Sequence, residues 1–329
     1  MPVSSSKNWR RLVTGFWLLD LMLGIIVVVA WLVISHPTAE ASPASPTPSG
    51  TASPSPTMLS SLTPTFTRTG TVTETRLPTA TPTAINTPTQ TMTPTPFWEG
   101  PFTIGRSVQD RPLEVYRFGS GATNRLIVAG MHGGYEFNTI ELADQLIAYL
   151  QVHPEVLPAD VTLYILRDLN PDGEARSHGV DGRANANGVD LNRNWDANWK
   201  VDWPRTGCWI QTDVTGGPRP GSEPETQALM KFILGHNIDA IINYHSAALG
   251  VFPGGLPPDD KSIRLAKSIA AVSTYKYPPI DTGCQYTGGF VDWADINGVA
   301  AVDLELTNHT DDDFDMNLNV LNIFLNWKR

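Results

Sequence analysis

The chain has 329 residues, with 33 acidic against 23 basic side chains and a formal net charge of −10. That balance excludes a nucleic-acid binder working through clustered Lys and Arg. Its two cysteines exclude a disulfide-framework mini-protein or a cysteine-rich zinc ribbon.

The N-terminal segment, residues 1–36, begins with Lys7, Arg10 and Arg11 and no acid, followed by an apolar run from Leu12 to Ile34 interrupted by Asp20. As a helix that run would rise about 34 Å, enough for a hydrocarbon core of about 30 Å. No basic residue follows until Arg68, so the positive-inside rule keeps the N-terminus cytoplasmic and exports the rest. Two readings stand: a single-pass signal-anchor in the cell membrane, or a signal peptide cut near Ala39-Glu40-Ala41. Residues 37–96 hold 19 Thr, 12 Pro and 7 Ser and almost no large apolar side chains. Such a stretch cannot bury enough surface to offset its chain entropy. It reads as a disordered stalk, a spacer from the membrane or through a cell wall.

Residues 97–329 are expected to form a single α/β domain. Strand-like runs at Leu113–Phe118, Arg125–Ala129, Val161–Leu166, Ile238–Tyr244 and Val299–Leu306 alternate with helical patterns at Thr139–Leu150, Glu223–Gly235, Lys261–Ser273 and Asp313–Trp327. That alternation predicts a mixed, mostly parallel central sheet flanked by helices. Ligands of such sheets gather at the carboxyl ends of the strands. One strand runs into Gly130-Met131-His132-Gly133-Gly134-Tyr135-Glu136, another ends at His245-Ser246, and a third carries Glu305. His132, His245 and a carboxylate match the His₂Glu set of a catalytic zinc site, with Glu305 apart as a general base. On position alone, ordinary polar histidines remain equally open.

Further along the sequence reads Asn170-Pro171-Asp172-Gly173, then Arg183-Ala184-Asn185-Ala186-Asn187-Gly188-Val189-Asp190-Leu191-Asn192-Arg193-Asn194-Trp195, then Ser222-Glu223-Pro224-Glu225. On these residues the domain resembles the zinc metallocarboxypeptidases of the carboxypeptidase A type, over essentially all of 97–329. The resemblance implies one Zn²⁺ held by His132, Glu136 and His245, with Asp190 hydrogen-bonded to a ligand histidine. It implies that Arg183 stabilises the oxyanion, that Asn192 and Arg193 hold the substrate's terminal carboxylate, and that Glu305 is the general base. Tyr286 is the counterpart of a mobile tyrosine covering the substrate. Val291, in Gly288-Gly289-Phe290-Val291-Asp292-Trp293, is the counterpart of the side-chain pocket floor, with Asp292 the other candidate. The chain departs from the family twice: Glu136 lies four residues after His132 rather than three, and Tyr286 lies closer to Gly288-Gly289 than the family spacing.

The chemistry is coherent by itself. Zinc activates water at neutral pH, a carboxylate shuttles its proton, and Arg recognises a carboxylate through a bidentate pair. An incomplete EF-hand loop at Asp168–Gly173 has Gly179 where a bidentate Glu belongs, and no G-x-S-x-G occurs. Cys208 and Cys284 are candidates for a disulfide in an exported domain. The expected activity is zinc-dependent removal of C-terminal residues from peptides. The alternatives are a peptidase of the same fold acting on peptidoglycan stem peptides and an inactive cell-surface binding module.

Overall fold

The computed structural model describes residues 96–209 and 211–329. The anchor expected over 1–36 and the stalk expected over 37–96, apart from Pro96, lie outside these residues. Among the described residues no helix is long and apolar enough to cross a membrane.

The strands are β1 (Trp98–Arg106), β2 (Pro112–Phe118), β3 (Thr123–Val128), β4 (Val161–Leu166), β5 (Ile238–Ser246), β6 (Val251–Pro253) and β7 (Ala300–Leu306). The helices are α1 (Phe137–Val152), α2 (Pro171–Arg176), α3 (Pro224–Gly235), α4 (Asp260–Ala270), α5 (Phe290–Ile296) and α6 (Phe314–Asn326). One seven-stranded sheet has the order β1-β2-β4-β3-β5-β7-β6. Its central pairings β4–β3, β3–β5 and β5–β7 are parallel, whereas β1–β2, β2–β4 and β6–β7 are antiparallel. The sheet is therefore evenly mixed rather than mostly parallel. The difference comes from edge elements the pattern concealed. In β1, Gly100, Pro101 and Gly105 break the alternation, and a short turn to β2 permits only antiparallel pairing. β6 has only three residues.

The middle strands are covered on both sides, so they read as unbroken apolar runs. In β3, Ile127 packs toward α1, α4 and α6 with Leu146, Ile269 and Phe324, while Leu126 and Val128 face α3 and α5 with Phe232 and Phe290. Trp195 is fully buried on the second side, its ring centroid 4.5 Å from Phe290 and 5.0 Å from Trp293. This packing fixes the loop after Arg193 against α5. In β5 and β7 the register pairs Asn243 with Asp303 and His245 with Glu305. Side chains two apart on a strand share a face, so all four lie on one side of the sheet.

Candidate active site

The loop leaving β3 builds the first part of the site. His132 precedes a 3₁₀ turn, Gly133–Glu136, that leads into α1. Gly133 has φ +45°, and a Cβ on Gly134 would lie 2.2 Å from Ser177 O, so only this glycine pair lets the turn pass so close to its neighbours. The turn absorbs the extra residue: Glu136 Oε1 lies 2.7 Å from His132 Nδ1 and Oε2 lies 2.9 Å from His245 Nδ1. The two Nδ1 atoms are 3.2 Å apart. His132, Glu136 and His245 are all buried and offer ligand atoms within 4.8 Å of one another.

Two imidazoles and one carboxylate are a borderline-soft donor set that fits zinc, with room for a further ligand on the cavity side. The electrostatics agree. Burial pushes Glu136 up, but His132 and His245 outweigh it and hold the carboxyl below its usual range. Burial opposes a charged His245, yet Glu136 and Asp303 raise it well above its ordinary value. Both shifts follow from packing one buried carboxylate against two imidazoles, the donors that a bound cation would share.

Asp190 ties three elements together. Its Oδ1 lies 3.1 Å from His132 Nε2 and accepts from Asn192 N at 2.9 Å, while its Oδ2 accepts from Arg183 Nε at 3.1 Å and Nη2 at 2.9 Å. Burial works against its charge, but Arg183 and His132 prevail and hold it well below the carboxylate range. A carboxylate on the far nitrogen of a ligand histidine fixes the ring and its tautomer. Arg183 Nη1 lies 3.6 Å from Glu136 Oε1, and Trp209 stacks 4.6 Å from its Cζ.

Arg193 is buried, and the one hydrogen bond of its side chain among the described residues is donated by Nη1 to Asn192 O at 2.8 Å; its Nε has no partner. Burial, with Arg183 nearby, lowers its pKa. Tyr286 and Trp203 each lie 5.2 Å from its Cζ. A guanidinium so poorly paired suits an anion, and the Tyr286 ring lies over it despite the shortened spacing. Asn192 is held by Phe290 N, which donates to its Oδ1 at 2.9 Å.

Glu305 stands at the far wall, where its Oε2 accepts from Ala248 N at 2.8 Å. Desolvation in the cleft pushes its carboxyl up to about 7; His245 and the Ala248 bond oppose this and Glu136 adds to it. Val291 and Asp292 both border the cavity. Asp292 is tied to Gly255 N at 2.9 Å, and burial raises it to about 6. With His132, Glu136, Arg183, Asn192, Arg193 and His245 they line one cavity of about 570 Å³. Cys208 and Cys284, also on its wall, form a disulfide that links the Trp209 loop to the Tyr286 loop.

Several residues in or beside this wall are not singled out by the sequence pattern. Asp303, on β7, contacts Asn192, Asn243 and His245. Its position two residues before Glu305 on one strand was a usable signal. Trp203 and Trp209 sit in irregular loops, where no periodicity announces a contact. His309 also lines the cavity, with Nδ1 3.0 Å from Ser246 Oγ.

Comparison with known proteins gives a consistent result. The zinc carboxypeptidase family model, Peptidase_M14, matches residues 99–323. Rat carboxypeptidase A2 is 29% identical over 223 residues, 58% of this chain and 53% of that protein. Murein peptide amidase A of Escherichia coli K12 is 32% identical over 206 residues, 59% of this chain and 76% of that protein. The chain thus spans about half the length of the carboxypeptidase A2 it matches. Bovine thrombin-activatable fibrinolysis inhibitor shares the fold, with a TM-score of 0.57 at 19% identity, covering 68% of this chain and 88% of that one.

Proposed function

The chain belongs to the zinc carboxypeptidase family, and from that premise we propose that it is a zinc-dependent exopeptidase releasing the C-terminal residue of peptides. The observation that carries this reading is the single cavity lined by His132, Glu136, His245, Arg183, Arg193 and Glu305. Held by the two histidines and Glu136, a zinc ion would supply Lewis acidity and bring the pKa of water to about 7. Glu305 accepts the proton of the attacking water and delivers it to the leaving amine. Arg183, locked by Asp190, faces the oxyanion of the tetrahedral intermediate, a stabilisation that is strong in a water-poor cleft. Asn192 and Arg193 grip the terminal carboxylate, and Tyr286 covers it. Those two residues favour an exopeptidase over an endopeptidase, because a terminal carboxylate is what they match.

Val291 at the pocket floor supports neutral or apolar C-terminal side chains, since Asp292 is engaged by Gly255 N. Peptides ending in Phe, Lys and Glu test this: preferential release of Phe is expected, and a strong preference for Lys overturns it. A second reading keeps the site and changes the substrate. The 32% identity to murein peptide amidase A, over 76% of that protein, favours stem peptides of the cell wall. Mass spectrometry of digested muropeptides beside linear peptides separates the two. A chain that binds no zinc and cleaves neither is the inactive binding module.

We also infer that the N-terminal apolar run holds the domain outside the cytoplasm as a single-pass anchor, or secretes it if cleaved. The Cys208–Cys284 disulfide supports an oxidising compartment. Protease shaving of intact cells tests this: release of the domain is expected, and a fully protected domain contradicts it.

A further inference from the structure

We propose that Asp303 is a positioning residue that couples the metal site to the carboxylate site, orienting His245 as a ligand and Asn192 as a substrate donor with the two oxygens of one carboxylate. The inference rests on the functional reading above. It starts from the tautomer of His245. Its Nδ1 is the nitrogen facing Glu136 Oε2 and His132 Nδ1, so a metal-bound, neutral imidazole carries its proton on Nε2. That N–H needs an acceptor. Around Nε2 stand Asn243 Nδ2 at 2.7 Å, Asn192 Nδ2 at 3.2 Å and Asp303 Oδ1 at 3.5 Å. Only the last is an acceptor.

As oriented, neither amide offers another. The Asn192 amide is fixed in orientation, because its Oδ1 accepts from Phe290 N at 2.9 Å. The Asn243 amide donates from Nδ2 to Asp303 Oδ1 at 2.7 Å; turned over, its oxygen would face the Nε2 proton but also Asp303 Oδ1, so in either orientation Asp303 decides which Asn243 atom faces His245. Asp303 Oδ2 meanwhile accepts from Asn192 Nδ2 at 3.3 Å. One half-buried carboxylate on β7 therefore receives Asn243 and faces His245 with Oδ1, and holds Asn192 with Oδ2. Asp190 plays the corresponding part for His132 and Arg183, so each ligand histidine faces its own carboxylate, and each carboxylate also fixes one substrate-facing group.

The test compares the full wild-type chain with D303N and D303A, reading zinc affinity by chelator competition and steady-state kinetics at saturating zinc. D303A is expected to weaken zinc binding about tenfold or more, in the range that follows loss of an outer partner of a metal ligand. D303N, which keeps one acceptor oxygen, is expected to lie between D303A and wild type. Both variants are expected to raise KM for a peptide with a free C-terminus by a larger factor than they lower kcat, because Glu305 and Arg183 are untouched. If melts of the metal-free chain show that D303A does not fold, D303N alone decides, with weaker zinc binding and higher KM both expected. Zinc affinity or KM within twofold of wild type in D303N overturns the coupling. A wild-type chain that binds no zinc and releases no C-terminal residue instead removes the functional reading itself.

Discussion

Replacing Asp190 by Asn tests how the site is held together before any substrate enters. The residue is buried and receives four contacts, two from Arg183, one from His132 and one from Asn192 N. An amide keeps the shape but turns an NH₂ toward the guanidinium and leaves a buried positive charge without its carboxylate. Breaking a buried pair in this way costs about 3–5 kcal/mol. The lower end applies here, because Glu136 Oε1 remains 3.6 Å from Arg183 Nη1. At roughly 2–4 °C per kcal/mol for a domain of this size, the metal-free protein should melt about 6–12 °C lower. Zinc affinity should fall about tenfold to a hundredfold as His132 loses its anchor, equivalent to roughly 1.4–2.7 kcal/mol. Calorimetry with and without chelator reads both effects separately. A metal-free melting temperature within about 2 °C of wild type, with unchanged zinc affinity, would refute the view that Asp190 pins Arg183 and His132.

The acid limb of kcat/KM should follow Glu305. As pH falls through about 7 its carboxylate takes up a proton and can no longer accept one from water, and a bound dication moves the midpoint lower still; a rate that climbs as pH drops from 7 to 5 contradicts this. Arg193→Ala should raise KM for peptides with a free C-terminus about a hundredfold, from loss of charge-assisted bonds worth roughly 1.5–3 kcal/mol, while leaving zinc affinity unchanged; equal KM values in both proteins would remove Arg193 from carboxylate binding. Cys208→Ser with Cys284→Ser opens a bridge between residues 76 apart and should cost about 2–4 kcal/mol. It should also raise KM, since Trp209 and Tyr286 would no longer be clamped over the two arginines; wild-type stability and KM under reduction would show that the clamp does nothing.

The sequence disclosed those parts of the molecule that obey a local rule. Strands β3, β4, β5 and β7 are covered on both faces, and their unbroken apolar runs announce that burial. The Arg183–Trp195 run puts Arg183, Asp190, Asn192 and Arg193 into one short loop, so a single motif carries much of the candidate site. β1 escaped because Gly100, Pro101 and Gly105 mask its period, and β6 because three residues have none. Trp203 and Trp209 reach the arginines only through tertiary packing of irregular loops, which no spacing encodes. Asp303 was legible in principle, two residues before Glu305, but its partners Asn192 and Asn243 lie 111 and 60 residues away.

The central claim is a zinc hydrolase whose general base is Glu305, and Glu305→Gln tests it most directly. Metal analysis and release of a C-terminal residue would be measured on wild type and variant in parallel. The expected result is one zinc per chain in both, with kcat/KM in the variant lower by about 10²–10⁴. A wild-type chain without zinc, or a variant that hydrolyses peptides at the wild-type rate, would contradict it.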